Sequence, residues 1–82
     1  MPHTIDVFTD PDFTALGQRL RAARKAQPTP MTQASVASLA DLDIKTIVAL
    51  ERGQSRRVEV LTLYRVCMVL RCSMDEVLGL RG

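Results

Sequence analysis

Apolar residues recur three and four positions apart along most of this chain, the period of a helix with one buried face. The pattern predicts an N-terminal arm followed by five short helices. Residues 1–9 alternate only loosely, with Ile5, Val7 and Phe8 apolar, which fits a short strand, an arm against a neighbouring subunit, or an unstructured end. Asp10 followed by Pro11 reads as an N-cap with proline at the first helical position. Phe13, Leu16, Leu20 and Ala23 then mark the inner face of a first helix over 11–26. Pro28 and Pro30 stop it, because neither continues a helix. Thr32 is placed to cap a second helix with Val36, Ala37 and Ala40 inward. Asp41-Leu42-Asp43 makes a turn, and Asp43 caps a third helix over 44–52 with Ile47 and Leu50 inward and Gly53 as its stop. Beyond Gln54-Ser55-Arg56-Arg57 a fourth helix is predicted over 58–70. Ser73-Met74-Asp75-Glu76 is a capping box for a fifth, which carries Val77, Leu78 and Leu80.

With 82 residues the chain has room for one small domain. A chain of this size buries only about 60–65% of the surface its unfolded form exposes, so a partner subunit would add needed stability. Its 46% hydrophobic and 24% charged residues describe a globular protein. The longest apolar run, Val66 to Leu70, is too short to span a bilayer, and no secretory signal pattern opens the sequence, so a cytoplasmic location is expected. The net charge of +2 hides a gradient: residues 1–13 hold Asp6, Asp10 and Asp12 with no Lys or Arg, while the rest carries 11 basic and 6 acidic residues. Cys67 and Cys72 lie five apart in an apolar stretch, a spacing that suits neither zinc nor a CxxC redox pair. They read as reduced, buried thiols acting as small hydrophobic side chains. The single histidine, His3, lies in the arm, and no nucleophile–base constellation or phosphate-binding glycine loop is present. An enzyme is not expected, nor a metal site or a cofactor.

The most specific feature is Gln33 to Arg52, twenty residues with the spacing of a helix-turn-helix. Two helices that cross steeply dictate side-chain size at fixed offsets. Ala37 stands at the predicted point of closest approach, and Val36, Ala40, Leu42, Ile47 and Leu50 supply the wedge of core between the helices. Met31-Thr32-Gln33, Val36-Ala37, Ala40, Thr46-Ile47 and Leu50-Glu51-Arg52-Gly53 resemble the phage-repressor, Cro and Xre helix-turn-helix family. The resemblance extends back to Leu16-Gly17-Gln18-Arg19-Leu20-Arg21 and forward through Leu70 to Ser73-Met74-Asp75-Glu76-Val77-Leu78, covering about residues 16–78. Two departures stand out: Asp41 replaces the usual turn glycine, which Asp tolerates at modest cost, and Pro28-Thr29-Pro30 lengthens the first loop.

This resemblance implies a compact all-α, five-helix lambda-repressor-like domain over 10–82, with residues 1–9 as an arm that is flexible or pairs with a partner subunit. It sets Thr32 and Gln33, at the start of the second helix, against a DNA phosphate. Ile44, Lys45, Thr46 and Ala49, with Val48 nearby, would enter the major groove. Of these only Lys45 is a strong donor; Thr46 suits a base or a phosphate, and Ile44 and Ala49 suit thymine methyl groups. Arg52, Gln54, Ser55, Arg56 and Arg57 would follow the phosphate backbone. The family also pairs an arginine of the first helix with the glutamate ending the third, here Glu51 with Arg24 or with Arg21 one turn earlier. The fourth helix is apolar nearly all round, and its surplus, with Leu61, Met68 and Met74 or Leu80, suggests a self-association patch. The expectation is therefore a transcriptional regulator, a repressor binding double-stranded DNA as a homodimer at a short inverted repeat of its own operon. The alternatives are a HipB-like antitoxin or co-repressor that also holds a toxin, and a protein-only interaction module of the same fold.

Overall fold

Four of the five helices begin on a side chain that bonds back into the first turn. The computed structural model describes residues 12–55 and 57–80, and its helices are α1 (Phe13–Lys25), α2 (Gln33–Ala40), α3 (Ile44–Glu51), α4 (Val60–Leu70) and α5 (Met74–Leu78). The Asp12 carboxylate accepts the Ala15 N–H at 3.0 Å, Thr32 Oγ1 that of Ser35 at 3.0 Å, Asp43 that of Lys45 at 2.9 Å, and Ser73 Oγ that of Glu76 at 3.1 Å. Each bond satisfies a donor that the helix geometry leaves without an internal partner. α4 starts after Glu59 without such a bond.

Several boundaries differ from the sequence expectation. α1 starts at Phe13 on Asp12, not at residue 11 on Asp10, because Asp12 is itself extended (φ −79°, ψ 94°) and makes the capping bond. Asp10, Pro11, His3 and the expected arm lie outside the described residues. α3 ends at Glu51, with Arg52 as its cap and Gly53 turning the chain at φ +70°. α4 begins at Val60 and not at residue 58; Val58 packs against the core from the preceding segment. α5 ends at Leu78, where Gly79 takes φ +73°, so Leu80 falls beyond the helix, 70% exposed.

The core gathers Leu16 and Leu20 of α1, Val36 and Ala37 of α2, Ile47 and Leu50 of α3, Leu63, Val66, Cys67 and Leu70 of α4, and Val77 of α5. α1 packs on α3, α4 and α5, while α2 packs on α3 and α4. Ala37 is 3% exposed, in keeping with a crossing that admits no larger side chain. The α2–α3 turn closes on Asp41 in the left-handed conformation (φ 57°, ψ 49°), as the Leu42 N–H reaches Ala37 O at 2.8 Å. Both cysteines are free. Burial, reinforced by Cys72, pushes the Cys67 thiol up to about 12, and burial also raises Cys72, so neither is set up as a nucleophile. No helix among the described residues is long and apolar enough to cross a membrane.

Gly17 explains how α1 lies so close to the end of α3. A Cβ there would collide with the backbone carbonyl oxygens of Leu50 and Glu51. Backbone cannot yield as a side-chain tip can, so Gly17→Ala should destabilise the domain by about 3 kcal/mol, the upper end of overpacking costs. Alanine's helix propensity would favour the variant by about 1 kcal/mol. A urea or thermal melt of the variant decides which effect wins, and an unchanged midpoint would refute the close approach.

Candidate nucleic-acid interface

The position of α3 is set by one polar cluster. Arg24, in the last turn of α1, grips Glu51 at the end of α3 through Nε to Oε2 at 2.7 Å and Nη2 to Oε1 at 2.9 Å. Its remaining nitrogen, Nη1, donates to Met31 O at 2.8 Å in the loop before α2. Gln33 Nε2, at the head of α2, donates to Glu51 Oε1 at 3.2 Å. The two charged side chains are only 11% and 5% exposed. The choice between Arg24 and Arg21 thus falls to Arg24, and Arg21 contributes only its charge from the exposed face. Burial would raise the Glu51 carboxyl, but hydrogen bonds from Arg24 and Gln33 and the charges of Arg24 and Arg21 outweigh it and hold it below its ordinary 4.5. The bond to Glu51 likewise raises Arg24, against an opposing effect of burial.

With α3 braced in this way, Ile44 and Lys45 stand exposed at its leading end, Thr46, Val48 and Ala49 are half-buried along its flank, and Ile47 and Leu50 face the core. Lys45, Thr46, Ala49, Ser55 and Arg57 line one surface depression of about 500 Å³, which also includes Glu59. Two groups assigned to separate tasks, base reading and backbone tracking, therefore share one concave face. Arg52 and Gln54 are exposed beside it, whereas Arg56 lies outside the described residues.

Thr32 and Gln33 line a second depression, with Arg24, Lys25, Pro30 and Met31. Here sequence reasoning saw half the arrangement. The Thr32 hydroxyl accepts from the Ser35 N–H and donates to Ser35 Oγ at 2.9 Å, and the Gln33 amide is tied to Glu51. Gln33 is thus a brace as much as a surface donor. Sequence reasoning passed over Lys25, which brings a cation to the same hollow; its one signal was a basic residue in the last turn of the helix preceding the motif.

α4 exposes Val60, Leu61, Tyr64 and Met68, none of which lines either depression, and Leu39 of α2 and Leu80 add to the apolar surface. Leu61, Met68 and Leu80 were expected there. Met74 is instead half-buried and packed against the core, because α5 turns it back toward the interior. Leu39, Val60 and Tyr64 were missed: Leu39 sits on the polar side of a short helix with three inward positions, and nothing in the periodicity sets it apart.

A family model described as the Cro/C1-type HTH DNA-binding domain matches residues 26–81. Comparison with curated proteins finds no match. Among solved structures the chain is similar to the restriction-modification controller protein C.AhdI from Aeromonas hydrophila, with TM-score 0.72 and 30% identity over 80% of this chain and 96% of that one. It is similar to the clp gene regulator ClgR from Corynebacterium glutamicum, with TM-score 0.74 and 29% identity over 88% of this chain and 90% of the other. It also resembles the P22 c2 repressor, solved in complex with a synthetic operator, with TM-score 0.68 and 27% identity over 77% of this chain and 91% of that one.

The brace yields a test that does not involve DNA. Because the Glu51 carboxyl titrates lower in the folded chain than in the unfolded one, its contribution is complete above about pH 4.5 and is lost as pH falls through the folded value. Glu51→Gln, which leaves Arg24 largely buried without its counter-charge, should cost about 3 kcal/mol at neutral pH. The gap between variant and parent, read from denaturation midpoints, should narrow only in acid; a constant gap from pH 7 to 3 would exclude the ionic brace.

Proposed function

The chain belongs to the Cro/C1-type helix-turn-helix DNA-binding family, and from that premise we propose that it is a sequence-specific transcriptional regulator acting as a homodimer on a short inverted repeat of its own operon. The observation that carries the reading is the shared concave face on which Lys45, Thr46 and Ala49 of α3 meet Ser55 and Arg57 of the following loop. An α-helix fits the major groove, and flanking cations neutralise the phosphates on either side. In this reading Lys45 reaches a guanine edge or a phosphate. Arg52, Gln54, Ser55 and Arg57 follow one strand, joined in sequence by Arg56. The last turn of α1 and the head of α2, through Lys25, Thr32 and Gln33, meet a second phosphate run.

The exposed apolar ridge of Leu61, Tyr64 and Met68 on α4, to which the exposed Leu80 adds apolar surface, supports the dimer. Surface of this kind on a small domain is costly unless covered. Two copies joined there would set their α3 helices about 34 Å apart, one turn of DNA.

Titration of duplex DNA from upstream of its own gene at several salt concentrations tests the assignment. Removing Arg52 and Arg57 together by Ala substitution should lower the log–log salt slope by roughly 0.9 for each phosphate that is no longer neutralised. An unchanged slope would reject the loop as a phosphate track. For the dimer, Met68→Glu, at a side chain 61% exposed, should leave the fold intact and shift sedimentation toward monomer. A parent protein already monomeric at high micromolar concentration would dispose of the two-fold arrangement.

A further inference from the structure

We infer that α3 identifies its DNA chiefly through pyrimidine C5-methyl groups in the major groove rather than through bidentate hydrogen bonds. This deepens the DNA-binding proposal above and rests on it. The side chains that make bidentate base contacts are Arg, Lys, Asn and Gln, and α3 carries only one of them, Lys45, on its outward face. Ile44 is 44% exposed at the leading end, and Val48 and Ala49 follow along the flank, so three of the reading positions offer only hydrocarbon. Thr46 adds a methyl as well as a hydroxyl. Asp43 accepts from the Lys45 N–H at 2.9 Å, and Gln33 and Glu51 belong to the Arg24 brace, which leaves the neutral hydroxyls of Thr46 and Ser55 beside Lys45 on this face. Lys45 is the one strong donor left on the helix.

An apolar helix face invites an apolar partner, but its surroundings select the class. Lys45, Arg52 and Arg57 border it, with Glu59 the one carboxylate lining the depression, and this net positive rim suits a polyanion and would leave unpaired cations around a hydrophobic protein partner. Within the major groove the apolar feature is the C5-methyl of thymine. 5-Methylcytosine presents the same group at the same ring position.

The experiment uses the full chain and duplexes selected by it from a random library, with affinities read by fluorescence anisotropy. Each thymine of a selected duplex is replaced by deoxyuridine in turn, and each cytosine by 5-methyldeoxycytidine. Loss of a contacted thymine methyl should weaken binding about fourfold, the equivalent of about 0.8 kcal/mol for a buried methyl-sized group. A comparable gain at a cytosine would assign the contact to 5-methylcytosine instead; both results support methyl reading. Ile44→Ala, at an exposed position, should erase the discrimination at one site in each half of the repeat. Selective binding that ignores every methyl change, or that keeps full methyl discrimination in both Ile44→Ala and Ala49→Gly, would overturn the inference and leave the DNA-binding proposal standing. A chain that enriches no duplex at all overturns that proposal, and this one with it.

Discussion

The guanidinium of Arg24 holds together the segments on which everything else in this domain depends. It leaves the last turn of α1, closes on Glu51 at the end of α3, and catches the Met31 carbonyl before α2. Glu51 in turn holds Gln33 at the start of α2. A pair this deep is favourable only if the hydrogen bonds of both partners are met, since each charge has given up its water. The arrangement meets that condition, and among the described residues no buried side-chain polar atom lacks a partner. The first residue of the helix-turn-helix and the last residue of its second helix are thereby tied to a third element outside the motif.

Apolar packing of Ile47 and Leu50 fixes which face of α3 turns inward but holds its slide along its own axis less tightly, because a stripe contains no contact that fits in one place only. The missing constraint comes from polar geometry at one end of α3 and from Gly17, where α1 approaches the α3 backbone closely enough for the Arg24 side chain to reach. α4 then closes the domain from below. Leu63, Val66, Cys67 and Leu70 complete the core, while Leu61, Tyr64 and Met68 face outward. One helix thus belongs to the interior of one chain and, in the proposed dimer, to the seam between two. For a chain with so little volume to enclose, that double use is a direct response to its unfavourable ratio of surface to interior.

Much of this was legible in the sequence because it is written in local chemistry. Thr32, Asp43 and Ser73 sit where caps must sit, and the spacing from Val36 to Leu50 follows from the size limits of a crossing. The family match over residues 26–81 agrees with that reading of the motif. What escaped was either degenerate or non-local. Asp10 and Asp12 both precede apolar residues, and the proline after Asp10 favoured the wrong one. Val58 and Val60 are both apolar and Glu59 between them makes no capping bond, so the start of α4 could not be told from periodicity. Gly17 reads as a weak point in a helix until α3 is set against it. The DNA-facing reading of Gln33 missed its bond to a glutamate 18 positions away, which no local pattern encodes. Leu80 follows the helical period of α5, but the left-handed Gly79 ends the helix first.

The unassisted start of α4 has a consequence for how the molecule comes apart. Where a side chain holds the first turn, the amides there are protected against exchange with solvent; where none does, the turn frays readily. α1, α2, α3 and α5 have such a hold at their first turn and α4 has none. The first turn of α4, at Glu59–Val60, between the loop that leaves α3 and the helix that bears the outward apolar ridge, therefore lacks a hold on its amides that the other four first turns have.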